Sequence, residues 1–444
     1  MVDVLLICAL KDEYDQVRTV TDGLLDPGWV ESKDPKGWIV ADGRFATSTG
    51  APLSIRATWA SHMGREHGQA VASSLIQAQP ARCLAMSGIC AGRQGKVALG
   101  DVIFADRLWS YDVGKLIVED GEQRFQGDMI QFRPPPAWVQ RMQQVLVPPE
   151  APWLAHRPLL PLEHQEDWIL LRILAGEDPR RSVDFDNACP DWKMALLRLW
   201  QRKWLEGSLT LTETGRARAT ELELLHPRGL SAPPVFQLHT APVATGASVT
   251  EDAGIFARLA RSMRKVLGVE MEASALGALG DFHGLPVVVA KGVSDYGDSF
   301  KDDRYRHFAA RAAAECLIAL LRGAADLLPG WTAETTIVPQ GSGVEPPTPA
   351  LLRSRPTVDL PRDLIHVFAE EYPDVRDARA LWVRAGGAAS EVENIPRPQD
   401  LWQRLWLRST QGASVRPAVL LRAALDDLPD NPVLIHHLQR WFSQ

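Results

Sequence analysis

The sequence predicts an α/β protein: a mostly parallel sheet with crossover helices, interrupted by a small winged-helix-like insert and followed by an all-α C-terminal bundle. Three observations carry this. Short apolar runs of buried-strand character alternate with helical patterns over residues 1–115, and the same alternation resumes near residue 235. The intervening stretch has helical spacing and a short Ser/Thr/Gly-marked segment instead. Beyond residue 331 a Pro-, Thr-, Gly- and Ser-rich stretch precedes five short amphipathic segments.

In chain order, strands are expected over 2–9, 53–59, 82–86 and 101–105. The crossover helix lies at 68–78, where Val71, Leu75 and Ala78 share one stripe and Pro80 stops the run. After the interruption come a strand at 235–243, helices at 253–265 and 272–282, a strand at 286–291 and a long helix at 305–321. Within the interruption, helices are expected at 168–174 and 192–205, then comes the segment Ser208-Leu209-Thr210-Leu211-Thr212-Glu213-Thr214-Gly215 and a helix reaching Leu225. The domain boundaries that follow are 1–134 with 233–328 for the α/β part, 135–232 for the insert, 329–359 for a linker and 360–444 for the bundle. Bundle helices are expected at 360–371, 375–385, 399–409, 415–427 and 431–442.

A chain of 444 residues predicts two to three domains, and 45% hydrophobic with 23% charged residues is the composition of a globular protein with a sizeable core. The net charge of −7 argues against broad adhesion to nucleic acid or an anionic membrane. In the insert, Lys193, Arg198, Arg202 and Lys203 lie among Trp192, Leu196, Leu199 and Trp200 at helical spacing, for which packing is favoured over DNA reading. Cys8, Cys83, Cys90, Cys189 and Cys316 lack metal-ligand spacing, and their odd count fits a reducing, cytoplasmic compartment. No signal peptide or membrane span is visible, and neither a cofactor nor a metal is expected.

Three segments end expected strands, where open α/β sheets place their ligands: Cys8-Ala9-Leu10-Lys11-Asp12-Glu13, Gly268-Val269-Glu270-Met271-Glu272-Ala273 and Lys291-Gly292-Val293-Ser294-Asp295. A glycine-rich stretch, Ser87-Gly88-Ile89-Cys90-Ala91-Gly92, precedes Leu99-Gly100-Asp101-Val102. In these residues and their order the chain resembles the nucleoside phosphorylase family, and within it the methylthioadenosine/S-adenosylhomocysteine nucleosidase branch. The resemblance spans roughly 1–115 and 234–325. It implies a three-layer α/β/α sandwich acting on a purine nucleoside or nucleotide, and a homo-oligomer. It also implies roles: Asp295 protonates purine N7, Glu272 binds the ribose hydroxyls, Met271 packs near the sugar and Glu13 activates water. Glu270, Ser294, Gly88, Ile89, Cys90, Val249 and Arg65 complete the expected substrate-binding set.

Elementary chemistry asks for the same parts. A purine leaves poorly as an anion, so an acid at N7, its pKa raised by burial, stabilises departure. The sugar becomes oxocarbenium-like, so a carboxylate on its hydroxyls tightens as positive charge grows. Water must approach C1′ from the other face, which needs a base on a different strand end. Glu270, two residues before Glu272, is expected to pair with Lys291 and hold the site. Phosphorylases of this family bind phosphate through an arginine before the glycine-rich turn and a serine inside it; Met86 and Ile89 stand there instead and offer no side-chain donor, which favours water. A phosphate-dependent purine nucleoside phosphorylase and a catalytically silent nucleotide-sensing scaffold remain the alternatives. Arg65, Arg93, Lys96 and Lys115 are candidate partners for a 5′-phosphate chain, or surface charges.

In the bundle, Phe368-Ala369-Glu370-Glu371-Tyr372-Pro373, Ala385-Gly386-Gly387, Leu401-Trp402, a Gln411-Gly412 turn and Leu428-Pro429-Asp430-Asn431-Pro432 resemble the effector-associated adaptor domains of bacterial conflict systems. These are death-domain-like bundles, and the resemblance implies a protein partner. The pairing points to a nucleosidase recruited in antiviral defence to deplete purine nucleotides, ATP among them.

Overall fold

The computed structural model describes residues 2–119, 122–248, 251–252, 254–331, 362–393, 395, 397–410, 415 and 417–442. Most of the expected linker and the Gln411-Gly412 turn lie outside these residues. The chain divides into two compact units, Met1–Val338 and Pro339–Gln444.

The first unit begins with β1 (Val2–Cys8) and α1 (Lys11–Arg18), followed by β2 (Val30–Lys33), β3 (Ile39–Phe45), β4 (Leu53–Trp59) and α2 (Arg65–Ala78). Then come β5 (Ala81–Gly92), β6 (Val102–Ser110), the hairpin β7 (Gly114–Glu119) and β8 (Glu122–Gly127), β9 (Gln131–Phe132) and α3 (Pro136–Gln144). The interruption supplies α4 (Leu162–Leu174), α5 (Phe185–Ala188), α6 (Trp192–Gln201), a small hairpin of β10 (Leu205–Glu206) and β11 (Thr210–Leu211), and α7 (Glu213–Leu225). The α/β pattern closes with β12 (Leu238–Thr245), α8 (Ile255–Ser262), β13 (Gly268–Glu270), α9 (Ala273–His283), β14 (Val287–Asp295) and α10 (Arg304–Gly323).

The strands join in the order β13-β12-β6-β14-β5-β1-β4-β3-β2. β1 is parallel to β4 and β5, β5 to β14, and β12 to both β6 and β13. Along β1, Val4, Leu6 and Cys8 enter one core with α1, α3 and α10, while Leu5 and Ile7 enter another with α2 and α9. A strand buried on both faces needs apolar residues at every position, which is why it reads as a continuous run. The three-layer sandwich follows from those two cores. Gly292 is required by the tight approach of α10, since a Cβ there would lie 2.0 Å from the Ala309 carbonyl oxygen.

Three differences from expectation bear on the site. β5 runs to Gly92 rather than ending near residue 86, so the glycine-rich stretch is strand, not turn. Its last residues bend over to pair antiparallel with β13, Gly268 opposite Gly92 and Val269 opposite Ala91. With β14, β6 and β12 this closes a small barrel and brings the start of β13 against the end of β5. Glu13, expected in a loop, stands in the first turn of α1.

The interruption packs around its own core, in which Leu162, Ile169 and Leu170 of α4 meet Ala195 and Leu199 of α6, Leu205 and Leu211 of the hairpin, and Ala219 and Leu222 of α7. Arg198 is buried rather than solvated, and Arg202 is half-buried, both paired with the buried Glu166.

The second unit contains α11 (Arg362–Glu371), α12 (Val375–Arg384), α13 (Pro398–Thr410), α14 (Pro417–Leu425) and α15 (Pro432–Phe442). Its centre is aromatic: Phe368 stacks on Trp402 at 4.6 Å, and the Trp402 indole N–H donates to the Tyr372 carbonyl at 3.0 Å. The Trp382 indole donates to Glu391 at 2.8 Å. Asp374 caps α12 through the Arg376 N–H, and Gly386 follows that helix at φ +89°, a conformation that favours glycine. Among the described residues no helix is long and apolar enough to cross a membrane.

Candidate functional site

At the C-terminal ends of β1, β5 and β14, beside β13 and the start of α9, lies a cavity of about 370 Å³. Glu13, Glu270, Glu272 and Asp295 all line it. This is where an open α/β sheet leaves room for a ligand, and the volume suits a nucleoside-sized molecule. A larger cavity of about 590 Å³ sits at the start of β14, lined by residues such as Trp138, Gly284 and Pro286. It contains none of these four carboxylates.

Glu13 turns back over the start of its own helix. One carboxylate oxygen accepts from the Ala9 and Leu10 N–H groups at 2.9 and 3.1 Å, and the other accepts from the Ile89 N–H at 2.9 Å. Gly88 makes this possible, because a Cβ there would come within 2.6 Å of Glu13 Oε1. Burial raises the Glu13 pKa, against the pull of Lys291 and the three N–H donors.

Glu270 and Glu272 divide their work. The Glu270 carboxylate accepts from the Thr245 hydroxyl at 2.5 Å and from the Glu272 and Ala273 N–H groups, so it caps the start of α9. It also meets the Lys291 ammonium at 3.0 Å. Lys291 is fully buried; burial pulls its pKa down, but Glu270, Glu272 and Glu13 outweigh that and raise it, so it stays charged. Glu272 accepts one hydrogen bond, from the Gly64 N–H at 2.9 Å, and lies 3.9 Å from Lys291. Its pKa is pushed up to about 7, first by burial, then with Lys291 lowering it and Glu270 raising it. Its second oxygen makes only that long ionic contact, which leaves it capacity for a further hydrogen-bond donor.

Asp295, the last residue of β14, is half-buried, less enclosed than the sequence argument required. Its carboxylate accepts from the Ser294 hydroxyl and from the Gly297 N–H, each at 2.8 Å. It stands at the cavity wall. Ser294, Met271, Ile89 and Cys90 line the same cavity, and burial raises the Cys90 thiol. Val249 lies outside the described residues. Among the described residues no cluster of His, Cys, Asp and Glu is arranged to hold a metal ion.

None of the cations considered for a phosphate chain, Arg65, Arg93, Lys96 and Lys115, lines this cavity. Arg65 is held bidentate by Asp112, with both contacts at 2.9 Å. Arg93 donates to the Arg264 carbonyl, and Lys115 belongs to β7. The cavity wall instead carries Lys301 and Arg306, which sequence reading did not single out. They belong to the charged segment Asp298-Ser299-Phe300-Lys301-Asp302-Asp303-Arg304-Tyr305-Arg306, and its position directly after a strand end was the available signal.

Residues 179–325 match the family model of the phosphorylase superfamily, and residues 359–442 match that of effector-associated domain 1. The chain is 25% identical over 328 residues to the uncharacterized protein y4jS of Sinorhizobium fredii, an alignment covering 71% of this chain and 60% of that one. It therefore spans about three fifths of its curated relative. Among solved structures, it is similar to the 5′-methylthioadenosine/S-adenosyl homocysteine nucleosidase of Helicobacter pylori at 14% identity, covering 72% of this chain and 97% of that one with a TM-score of 0.42. The futalosine hydrolase of the same organism gives 12% identity, 72% and 97% coverage and a TM-score of 0.41. The corresponding nucleosidase from S. pneumoniae gives 17% identity, 72% and 99% coverage and a TM-score of 0.42.

Proposed function

We propose that this chain hydrolyses the N-glycosidic bond of a purine nucleoside or nucleotide. The observation that carries the reading is that Glu13, Glu272 and Asp295, from three separate segments, line one cavity with the charged Lys291 beneath it. In this reading Asp295 is the acid that supplies a proton to N7 as the C1′–N bond breaks. Glu272 holds the ribose hydroxyls as the sugar gains positive charge. Glu13 takes a proton from water, whose oxygen bonds to C1′, and free base and the ribose, still carrying any 5′ substituent, are released.

Water is favoured over phosphate by the wall itself. Met86 is fully buried, Ile89 offers only its N–H, and Glu13 already occupies that donor. A phosphate oxygen placed there would face the Glu13 carboxylate. Purified protein incubated with adenosine, inosine, methylthioadenosine, AMP and ATP, with and without inorganic phosphate, tests the reading by chromatography. Phosphate-independent release of free base is expected; no base from any substrate overturns it, and ribose 1-phosphate formed only with phosphate assigns phosphorolysis.

The match of 359–442 to effector-associated domain 1 supports a second part of the proposal. The bundle recruits a protein partner, and the enzyme then depletes purine nucleotides, ATP among them, as a triggered defence effector. A homo-oligomer belongs to the same proposal.

A further inference from the structure

The segment after Asp295 builds one wall of the cavity with Gly297, Lys301, Asp303 and Arg306, and the interruption between the two α/β stretches grips it from outside. The Arg198 guanidinium, on α6, donates to the Phe300 carbonyl at 2.8 Å and reaches the Lys301 carbonyl at 3.4 Å. Its other nitrogens bind Glu166 at 2.5 Å and Glu163 at 2.6 Å, both on α4. Arg202 lies 3.8 Å over the Phe300 ring and 3.2 Å from Glu166. Asp302, 2% exposed, accepts from the N–H of Leu162 at the start of α4. Arg304 pairs with Asp191 and donates to the Leu160 carbonyl, and the Tyr305 hydroxyl donates to the Pro158 carbonyl.

These contacts differ from ordinary packing in what they hold. A guanidinium offers five fixed donors, so one Arg198 can fasten two main-chain carbonyls of the wall while two carboxylates fix its own position. In the same segment Lys301 lines the cavity, its ammonium 3.4 Å from Glu251, and the Gly297 N–H donates to Asp295. We infer that the interruption is a positioning element for the substrate pocket, with Arg198 and Arg202 of α6 setting the segment 296–306 against the bound nucleoside. A ligand or partner that shifts α6 then changes substrate binding without touching the cavity. The inference extends the proposed function to a role for 135–232, and the part of it concerning substrate rests on that proposal.

Hydrogen–deuterium exchange and steady-state kinetics on the full chain test it, in Arg198→Lys, which keeps the charge but loses the fork, and in Arg202→Met, which removes the cation lying over Phe300 and Trp204 and its ion pair with the buried Glu166 while leaving Glu166 its bond from Arg198. Exchange over 296–303 is expected to accelerate about tenfold or more in either variant while β1, β5 and β14 stay protected. KM is expected to rise about tenfold with kcat within roughly threefold of the parent, the mark of lost binding rather than lost chemistry. Unchanged exchange over 296–303, exchange rising throughout the unit, or a mobile segment with unchanged KM overturns the inference. If the parent releases no base from any substrate, the proposed function has failed, and the inference is then decided by the exchange pattern alone.

Discussion

Glu13 has both carboxylate oxygens committed to main-chain N–H groups, and its placement depends on a missing side chain at Gly88. Gly88→Ala therefore pushes the carboxylate off its three donors without demanding a new backbone conformation. We expect kcat to fall on the order of 10²-fold, the cost of about 1 Å of misplacement, with the far-UV circular dichroism spectrum unchanged. Under the proposed function Asp295→Asn removes the proton donor while keeping a similar shape. Base release is expected to drop about 10²- to 10⁴-fold with substrate affinity, measured by calorimetry, retained. Equal loss of affinity and turnover would assign Asp295 to binding. The pH profile follows from the two glutamates, since each must be ionised to act and burial raises both, Glu272 to about 7. A raised acid is protonated over a wider range, so kcat/KM in the free enzyme is expected to fall as pH drops through about 7 rather than near 4 to 5. A profile flat down to pH 5 would exclude Glu272 as an ionised clamp.

The elements that were legible from sequence are those with an unambiguous local pattern. β1, β4 and α2 were readable because burial on both faces, or on one helical stripe, leaves a continuous or periodic apolar signal. β2, with Val30 to Lys33 all exposed, carries no such signal, and the β7–β8 hairpin leaves Leu116 and Val118 open to solvent. The extension of β5 through Gly92 rests on pairing with β14 as far as Ala91 and with β13 at its end, both distant in the chain, and no local pattern encodes a barrel closure of that kind. The site divides in the same way: the carboxylates stand at strand ends and were readable, whereas Lys301 and Arg306 enter only through a segment that the interruption holds in place. In the bundle, Trp402 was marked by its spacing, and the structure adds its stack on Phe368 and its hydrogen bond to Tyr372. Trp402→Ala is expected to destabilise that unit by about 3–5 kcal/mol through a large cavity, read as a lowered urea midpoint.

At the scale of the molecule, the proposed function assigns catalysis and recruitment to two units with separate cores. The α/β unit closes its own cavity with residues from 9 to 306, and the aromatic centre of the bundle draws only on 364–434 and its flanks. Among the described residues each core draws on its own unit, which gives each the burial an independent fold requires. A chain ending at Trp331 should therefore fold, and under the proposed function it should release base with kcat/KM within about threefold of the full chain when no partner is present. The same deletion should abolish any acceleration by a partner that engages the bundle, because its docking surface is gone. Calorimetry of the full chain should show two transitions, and Trp402→Ala should lower one and leave the other in place. A single transition shifted as a whole by that substitution would mean that the units unfold together, and the division of labour between them would then have no thermodynamic basis.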